Sequence, residues 1–327
     1  MVPLHVLDPA AVLTRRAGRI EVRSDGKLLA SAPLTQLSSV VIEGRAGIST
    51  PAIHALLYHD IPVVFLSSRG RAIGRLEAPG SGQVTLRQRQ LRRSLQVDFC
   101  LQTSRSIVAG KIHNQRMLLA GRARRSPRGH GGDISPSLSA LSRLEGAVAG
   151  VTTVASAVGV EGAASSGYFR TLRQLIPGSV HFQSRSRGAP DVFNALVNYC
   201  SALLRETVLT FIFSCGLDPC ISFMHIPMRG RPTLAFDLME EWRPVLVEGT
   251  SLALLGLGAV NEDDVAATPD GPRLTESARR HAVRRFFQRL GPGEGTSLRM
   301  KLRSQVSSFA WVVDGHAPGN YQPFRWR

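Results

Sequence analysis

Over the first 80 residues apolar and polar positions alternate with a period near two. Ile20 and Val22 fall on one side and Glu21 and Arg23 on the other, the pattern of a half-buried strand. Asp25-Gly26 then supplies a hairpin turn before Leu28-Leu29. Ser39–Glu43 and Pro62–Leu66 are apolar runs of strand length, and Arg71–Leu76 reads as one more strand. Between them Thr50-Pro51 opens a short helix carrying Ile53, Leu56 and Leu57, with proline in the first turn. Gly80-Ser81-Gly82 punctuates the end of this region.

From Val84 the period lengthens to that of a helix. Leu86, Leu91, Leu95 and Phe99 form an apolar stripe and arginines fill the other face, to about Leu119. Residues 123–137 (ARRSPRGHGGDISPS) read as a mobile basic loop. Helix resumes over Ser137–Gly150. Val192–Phe213 is a strong helix stopped near Gly216, and Leu252–Val260 is a buried one. Ser277–Leu290 is a helix with Arg279, Arg280, Arg284 and Arg285 outward, and the last dozen residues (HAPGNYQPFRWR) read as a tail. The pattern predicts an α+β chain: a small N-terminal β-rich domain over 1–80 and a larger helical domain over 81–327.

Composition narrows the partner class. With 43% hydrophobic residues the chain can bury a core. Its net charge is +16, and of 40 basic residues only Lys27, Lys111 and Lys301 are lysines. Guanidinium groups pair bidentately with phosphates, so the bias suits nucleic acid, although a GC-rich coding sequence gives the same bias. No amphipathic basic helix, lipidation signal or run of roughly 18 apolar residues points to a membrane. The four cysteines form no CxxC pair and sit in apolar stretches, which predicts buried, reduced thiols. Together with the absence of a leader-like N-terminus this gives a cytoplasmic expectation.

Three segments carry candidate chemistry. GVEGAASSGYF (159–169) sets Glu161 among small residues; the plainer reading is a carboxylate at a helix start. FMHIP (223–227) places His225 in an apolar run, where a histidine is most often a hydrogen-bonded core residue. AFDLMEEWRP (235–244) packs Asp237, Glu240 and Glu241 at i, i+3 and i+4, on adjoining faces of a helix, or simply in its first turn. Carboxylates with one histidine and no cysteine suit Mg²⁺ or Mn²⁺. Such an ion neutralises a phosphate and activates a hydroxyl or water, so the set is that of a nuclease or strand transferase. Arg170, Arg185, Arg187 and Arg205 flank the motifs as candidate phosphate contacts or ordinary surface charges. Tyr168 reads as core. Asn194 and Asn198 share a helical face and serve to hold a loop or fill a packing gap. His54, His59 and His113 read as structural.

These motifs, with FNALVNYCSALLRETV (193–208) and CGLDPCISFMH (215–225) in the same order, resemble the CRISPR-associated adaptation integrases, the universal spacer-acquisition endonucleases of antiviral defence. The N-terminal SVVIEGRAGISTPAIHALLYHDIPVVFLSSRGRAIGRL (39–76) resembles that family's β-domain, so the likeness covers nearly the whole chain. It implies a β-domain that dimerises and an all-α catalytic domain. It implies a homodimer and a small ferredoxin-like partner protein. It implies insertion of double-stranded spacer DNA into a repeat by attack of a 3′-hydroxyl on a phosphodiester. By motif the metal ligands fall on Glu161, His225 and Glu240, with Asp237 an accessory catalytic acid and Glu241 outside the metal's ligands. The alternatives are a catalytically inactive DNA-binding scaffold of that complex and an unrelated RNA-binding protein. Aromatic residues are only 6%, which disfavours the latter.

Overall fold

The computed structural model describes residues 2–66, 72–78, 84–125, 133–266, 268, 271–291, 295–316 and 320–327. The chain divides into two compact units, Met1–Gly82 with Leu290–Arg299, and Gln83–Arg289 with Met300–Arg327. The N-terminal unit is thus joined by a short C-terminal segment that sequence periodicity had placed with the helices.

In the first unit, β1 (Val2–Val6), β5 (Leu37–Glu43) and β7 (Val63–Leu66) run parallel, with β8 (Ala72–Leu76) antiparallel at the edge. A second sheet has the order β4-β3-β2-β6, from β2 (Val12–Arg16), β3 (Arg19–Ser24), β4 (Lys27–Pro33) and β6 (Gly47–Ile48). The expected Asp25-Gly26 hairpin is present, with both residues at positive φ, 48° and 76°. That is the turn whose twist matches the flanking strands. Ala17-Gly18 makes a second such turn between β2 and β3. The run of arginines around it hid this turn from the sequence pattern. Leu13, Ile20, Val40, Ile42 and Val63 from both sheets close on Leu56 of helix α1 (Thr50–Tyr58).

The second unit is helical: α2 (Val84–Ser94), α3 (Val97–Arg125), α4 (Ser135–Ala147), α5 (Val154–Arg173), α6 (Val192–Ser214), α7 (Thr233–Met239), α8 (Gly249–Gly256), and all but the last residue of α9 (Glu276–Leu290) and the first two of α10 (Leu298–Asp314), which belong to the first unit. Its one strand pair among the described residues is the short ribbon β9 (Val265–Ala266) with β10 (Arg273–Leu274). Of the basic stretch at 123–137, residues 126–132 lie outside the described residues. Asp191 caps α6 by accepting the Asn194 N–H at 2.8 Å. α6 is apolar and long enough to cross a membrane, but most of it is buried inside the fold, which accounts for its composition.

Three expectations need correcting. Of the four free cysteines only Cys200 is buried; Cys220 is exposed because it lies in the loop after α6. On α9, Arg280 and Arg284 face outward as expected, but Arg279 is buried. The last residues are not a loose tail. Tyr321 is buried, and its hydroxyl joins Gln305 and Glu241. Phe324 stacks on Trp242 at 3.9 Å and its N–H donates to Glu241 at 2.6 Å. Asn114 of α3 donates to the carbonyls of Glu241 and Phe324 at 2.7 and 2.9 Å and accepts the Trp326 N–H at 2.7 Å. Gly110 makes the approach possible, since a Cβ there would stand 2.6 Å from Pro323.

Tyr321→Phe leaves Glu241 and Gln305 without their shared hydroxyl in a dry site. It should cost about 1–3 kcal/mol in urea unfolding, whereas Tyr58→Phe, at an exposed residue, should cost nothing measurable. Equal effects would contradict this account. His5 gives a pH signature. Burial first, and then the charge of Arg299, push its pKa from 6.5 to about 4. The unfolded chain therefore binds the proton at a higher pH than the native one. Stability should fall as pH drops from 6.5 to about 4 and level off below. The loss is on the order of 2 kcal/mol for the half-buried ring. Unfolding of His5→Asn should lack this component, and an unchanged pH slope would refute it.

Candidate active site

Glu161 lies two turns inside α5, whose start is capped by Thr153 accepting the Ser156 N–H at 3.0 Å. The helix-start reading of Glu161 is therefore wrong; the macrodipole has little hold on a carboxylate this far along. Small residues around it keep the helix slim, and α3 packs close. Ser165, one turn later, donates to Glu161 at 2.8 Å and receives the Gln115 amide of α3 at 3.3 Å. Across from Glu161, the ammonium of Lys111 on α3 donates both to it and to Glu240. Lys111 and Glu240 are almost fully enclosed, with side chains 10% and 9% exposed.

The three acids expected on adjoining faces of one helix do not share a regular helix. α7 ends at Met239, a tight 3₁₀ turn covers Glu240–Trp242, and a wide π-helical stretch follows over Arg243–Glu248. The changes in winding send each acid elsewhere. Asp237 turns to the loop after α6. Its carboxylate accepts the N–H groups of Phe223, Met224 and His225 at 2.7, 3.1 and 3.0 Å and the Nδ1 of His225 at 2.7 Å. Glu240 faces Lys111, and Arg243 stands 3.4 Å from its other oxygen. Glu241 points to the C-terminal segment, apart from the other two.

The electrostatics are those of a cation-seeking site. Burial opposes the charge of Glu240, yet Lys111 and Arg243, with His225 behind them, hold its carboxyl down at about 2. Burial alone would lower Lys111, but Glu240 and Glu161 outweigh it and raise the ammonium's pKa. Arg243 is raised in the same way by Glu240, Glu248 and Glu161. The His225 imidazole also rises, because its bond to Asp237 and the nearby charges of Asp237 and Glu240 overcome its burial. Glu241 stands apart. Burial pushes it well above the usual carboxylate range, which favours the uncharged acid.

The structure thus brings Glu161 and Glu240 onto one cation and places His225 within electrostatic reach of Glu240. Among the described residues no three His, Cys, Asp or Glu side chains are grouped closely enough to hold a metal ion as they stand. The position between the carboxylates is taken by Lys111. The donor chemistry nonetheless fits a divalent ion. Two oxygen donors face one positive centre, and Asp237 engages Nδ1 of a ring that is 38% exposed, leaving Nε2 for a ligand.

The arginines separate. Arg185 donates to Asn194 and Asn198 at 2.8 and 2.6 Å, and burial lowers its pKa to about 10. Arg205 pairs with Glu206 at 3.0 Å. Arg170 and Arg187 are exposed. Asn194 and Asn198 hold the loop at 184–187 through the Ser184 and Arg187 carbonyls. Tyr168 is core, as expected. Sequence reasoning missed Lys111, Arg243, Ser165 and Gln115. A lysine inside an apolar helix, in a chain that writes nearly every cation as arginine, was the available signal for the first.

The family pattern described as CRISPR associated protein Cas1 matches residues 4–288. The CRISPR-associated endonuclease Cas1 of Mycobacterium tuberculosis strain H37Rv is 31% identical over 329 residues, 97% of this chain and 96% of its own. Exonuclease Cas4/endonuclease Cas1 fusions of Rhodospirillum rubrum and Geobacter sulfurreducens are 32% and 31% identical. The chain spans about half of each, 56% and 53%. Among solved structures, a CAS1 protein from Thermotoga maritima shares the fold at TM-score 0.82 and 19% identity, over 99% of this chain and 100% of that one. A chain of a Cas6-RT-Cas1–Cas2 complex superposes at TM-score 0.84 and 26% identity, over 99% of this chain and 36% of the longer one. Sequence match and fold agree along nearly the whole length: the chain belongs to the CRISPR associated protein Cas1 family.

Proposed function

We propose that the protein is a metal-dependent endonuclease and strand transferase acting on double-stranded DNA in CRISPR adaptation. The observation that carries this reading is the convergence of Glu161 and Glu240, from α5 and the turn after α7, on a single positive centre beside His225. Family membership and relatives named as endonucleases support it. In this reading Glu161, Glu240 and Nε2 of His225 hold Mg²⁺ or Mn²⁺. When bound, the ion lowers the pKa of a hydroxyl or water and offsets charge on the phosphate. Asp237 fixes the tautomer and direction of the His225 ring through Nδ1 and ties the loop that carries it. Lys111 and Arg243 keep Glu240 ionised and add positive charge where phosphate charge develops. A 3′-hydroxyl attacking a repeat phosphodiester loses its proton and forms a new P–O bond as an existing P–O ester bond of the repeat breaks and the freed oxygen leaves as a hydroxyl, which inserts spacer DNA; water in its place gives strand cleavage.

The partners proposed are spacer and repeat DNA, a second copy of the chain, and the small ferredoxin-like protein of the adaptation complex. The name of the Cas1–Cas2 assembly containing a similar chain supports the last of these. Exposed Arg170 and Arg187 serve as phosphate contacts, while Arg185 acts through the loop it holds and Arg205 is taken up by its pair with Glu206 on α6. A catalytically inactive DNA-binding scaffold is disfavoured, because all three proposed ligand positions carry competent donors.

Glu161→Gln, Glu240→Gln and His225→Ala should each lower Mn²⁺-dependent DNA cleavage and strand transfer at least about 100-fold with folding intact by circular dichroism. Full activity in all three would sink the assignment. Lys111→Met leaves two carboxylates facing each other with no ammonium between them. Its thermal midpoint should rise more on adding Mn²⁺ than that of the wild type, because the ion then relieves repulsion and no longer competes with an internal cation. An equal or smaller rise would place the ion elsewhere.

A further inference from the structure

A second polar cavity lies on the side of α3 away from Lys111. At 3.6 residues per turn, Gln102, Arg105, Ala109 and Arg116 fall on the flank of the helix opposite Lys111, so a helix width of ~10 Å separates the two places. The end of α4, the turn after it and the C-terminal segment supply the other walls. The cavity measures about 590 Å³, within the range of small-ligand pockets. Among the described residues four charged side chains line it, Arg105, Arg116 and Arg325 against Glu145. Glu145 is already shared. Arg325 stands 2.9 Å from one of its oxygens and Arg116 3.3 Å from the other, with Nδ1 of His113 at 3.4 Å. Arg105 directs Nε and Nη2 to the single Val151 carbonyl and has no carboxylate partner among the described residues. Three guanidinium charges against one carboxylate leave a surplus of two. One arginine would neutralise Glu145, and the others repel each other across a half-enclosed space.

We propose that this cavity binds a phosphomonoester dianion. Two negative charges match the surplus, and guanidinium groups pair bidentately with phosphate oxygens. A phosphodiester or a single carboxylate brings only one charge. Ser106, Ser142 and Gln322 add neutral hydrogen-bonding groups to the same wall. Among the described lining residues there is no aromatic ring on which a base could stack, so recognition centres on the phosphate head. The occupant is a small free phosphate compound, because the cavity and the carboxylates around Lys111 lie on opposite flanks of α3. Arg325 and Gln322 belong to the segment whose Phe324 N–H holds Glu241. A phosphate held there braces the C-terminal clasp from outside. The cavity and the proposed cleavage chemistry stand or fall separately, since neither metal nor strand scission is needed for this binding.

The test is phosphorus NMR of inorganic phosphate titrated with the full chain, without added metal, at mildly alkaline pH and physiological ionic strength. The wild type should broaden the phosphate signal saturably. Arg105→Gln/Arg325→Gln should weaken binding at least about ten-fold. Arg92→Gln, at an exposed arginine of α2, should leave it unchanged. Glu145→Gln removes the competing carboxylate and should tighten binding roughly three- to ten-fold, the opposite of what a damaged fold would give. Absent saturation in the wild type, weaker binding in Glu145→Gln, or equal losses in Arg92→Gln and the double variant overturns the proposal. Competition by a thymidine dinucleotide with and without a 5′-phosphate separates the sources. Displacement by neither supports a free small phosphate. Displacement by the phosphorylated form alone keeps the dianion site and makes a DNA 5′ end its ligand. Equal displacement by both marks the cavity as a backbone contact and overturns the dianion reading.

Discussion

Lys111 sets the constraint on which the site's arrangement depends. Its ammonium stands between Glu161 and Glu240 in surroundings from which water is largely excluded. Taking one ammonium and two carboxylates out of water costs several kcal/mol per ion, and their attraction returns that only when the geometry is held tightly. An apolar trio would pack as well with no such cost, so stability is a poor reason for the arrangement. A place prepared to hold positive charge is a better one. The net negative excess is balanced by Arg243, and the four groups together draw α3, α5 and the turn after α7 to one point.

Holding that point requires support from behind. The turn that presents Lys111 toward Glu240 also presents Asn114, which reads the carbonyls of Glu241 and Phe324. Glu241, next to Glu240, is tied to Tyr321 and to the Phe324 N–H. One residue pair, Glu240-Glu241, therefore has one member in the charged site and the other in a buried, hydrogen-bonded clasp. Their opposite shifts follow: cations near Glu240 outweigh its burial, while nothing charged offsets the burial of Glu241. The C-terminal residues act on the site through this backbone connection without entering it.

Local physics was legible and tertiary wiring was not. The period-two run at Ile20–Arg23 and the Asp25-Gly26 turn could be read because a strand and its turn are specified within a few residues. The apolar run of α6 was readable for the same reason. The tail was misread because Tyr321, Phe324 and Trp326 follow a Pro- and Gly-bearing stretch and are interrupted by Pro323; their partners lie roughly 80 and 210 positions away. The Ala17-Gly18 turn was missed because arginines surround it and alanine does not advertise a positive φ. At the site, the residue types were enough to nominate Glu161, His225, Asp237 and Glu240, but not to divide their roles. Lys111 was passed over for a different reason: its rarity among the cations marked it, but no motif brackets it and its role comes from the two carboxylates that reach it.

The division of roles among the three acids has a simple mechanical source. On an unbroken α-helix Asp237 and Glu241 would stack one turn apart with Glu240 beside them, and three like charges would crowd one face. The 3₁₀ turn at Glu240–Trp242 changes the angle between successive side chains at the point where the charges occur, before the π-helical stretch begins at Arg243. Irregular helical turns sacrifice hydrogen-bond geometry and persist where packing or function requires them. Here the irregularity lets one short segment touch three places at once: the loop that carries His225, the ammonium of Lys111, and the C-terminal clasp. A change in any one of the three is therefore felt by the other two through no more than five residues of backbone. Asp237, Glu240 and Glu241 are then best understood as one jointed element and not as three interchangeable acids.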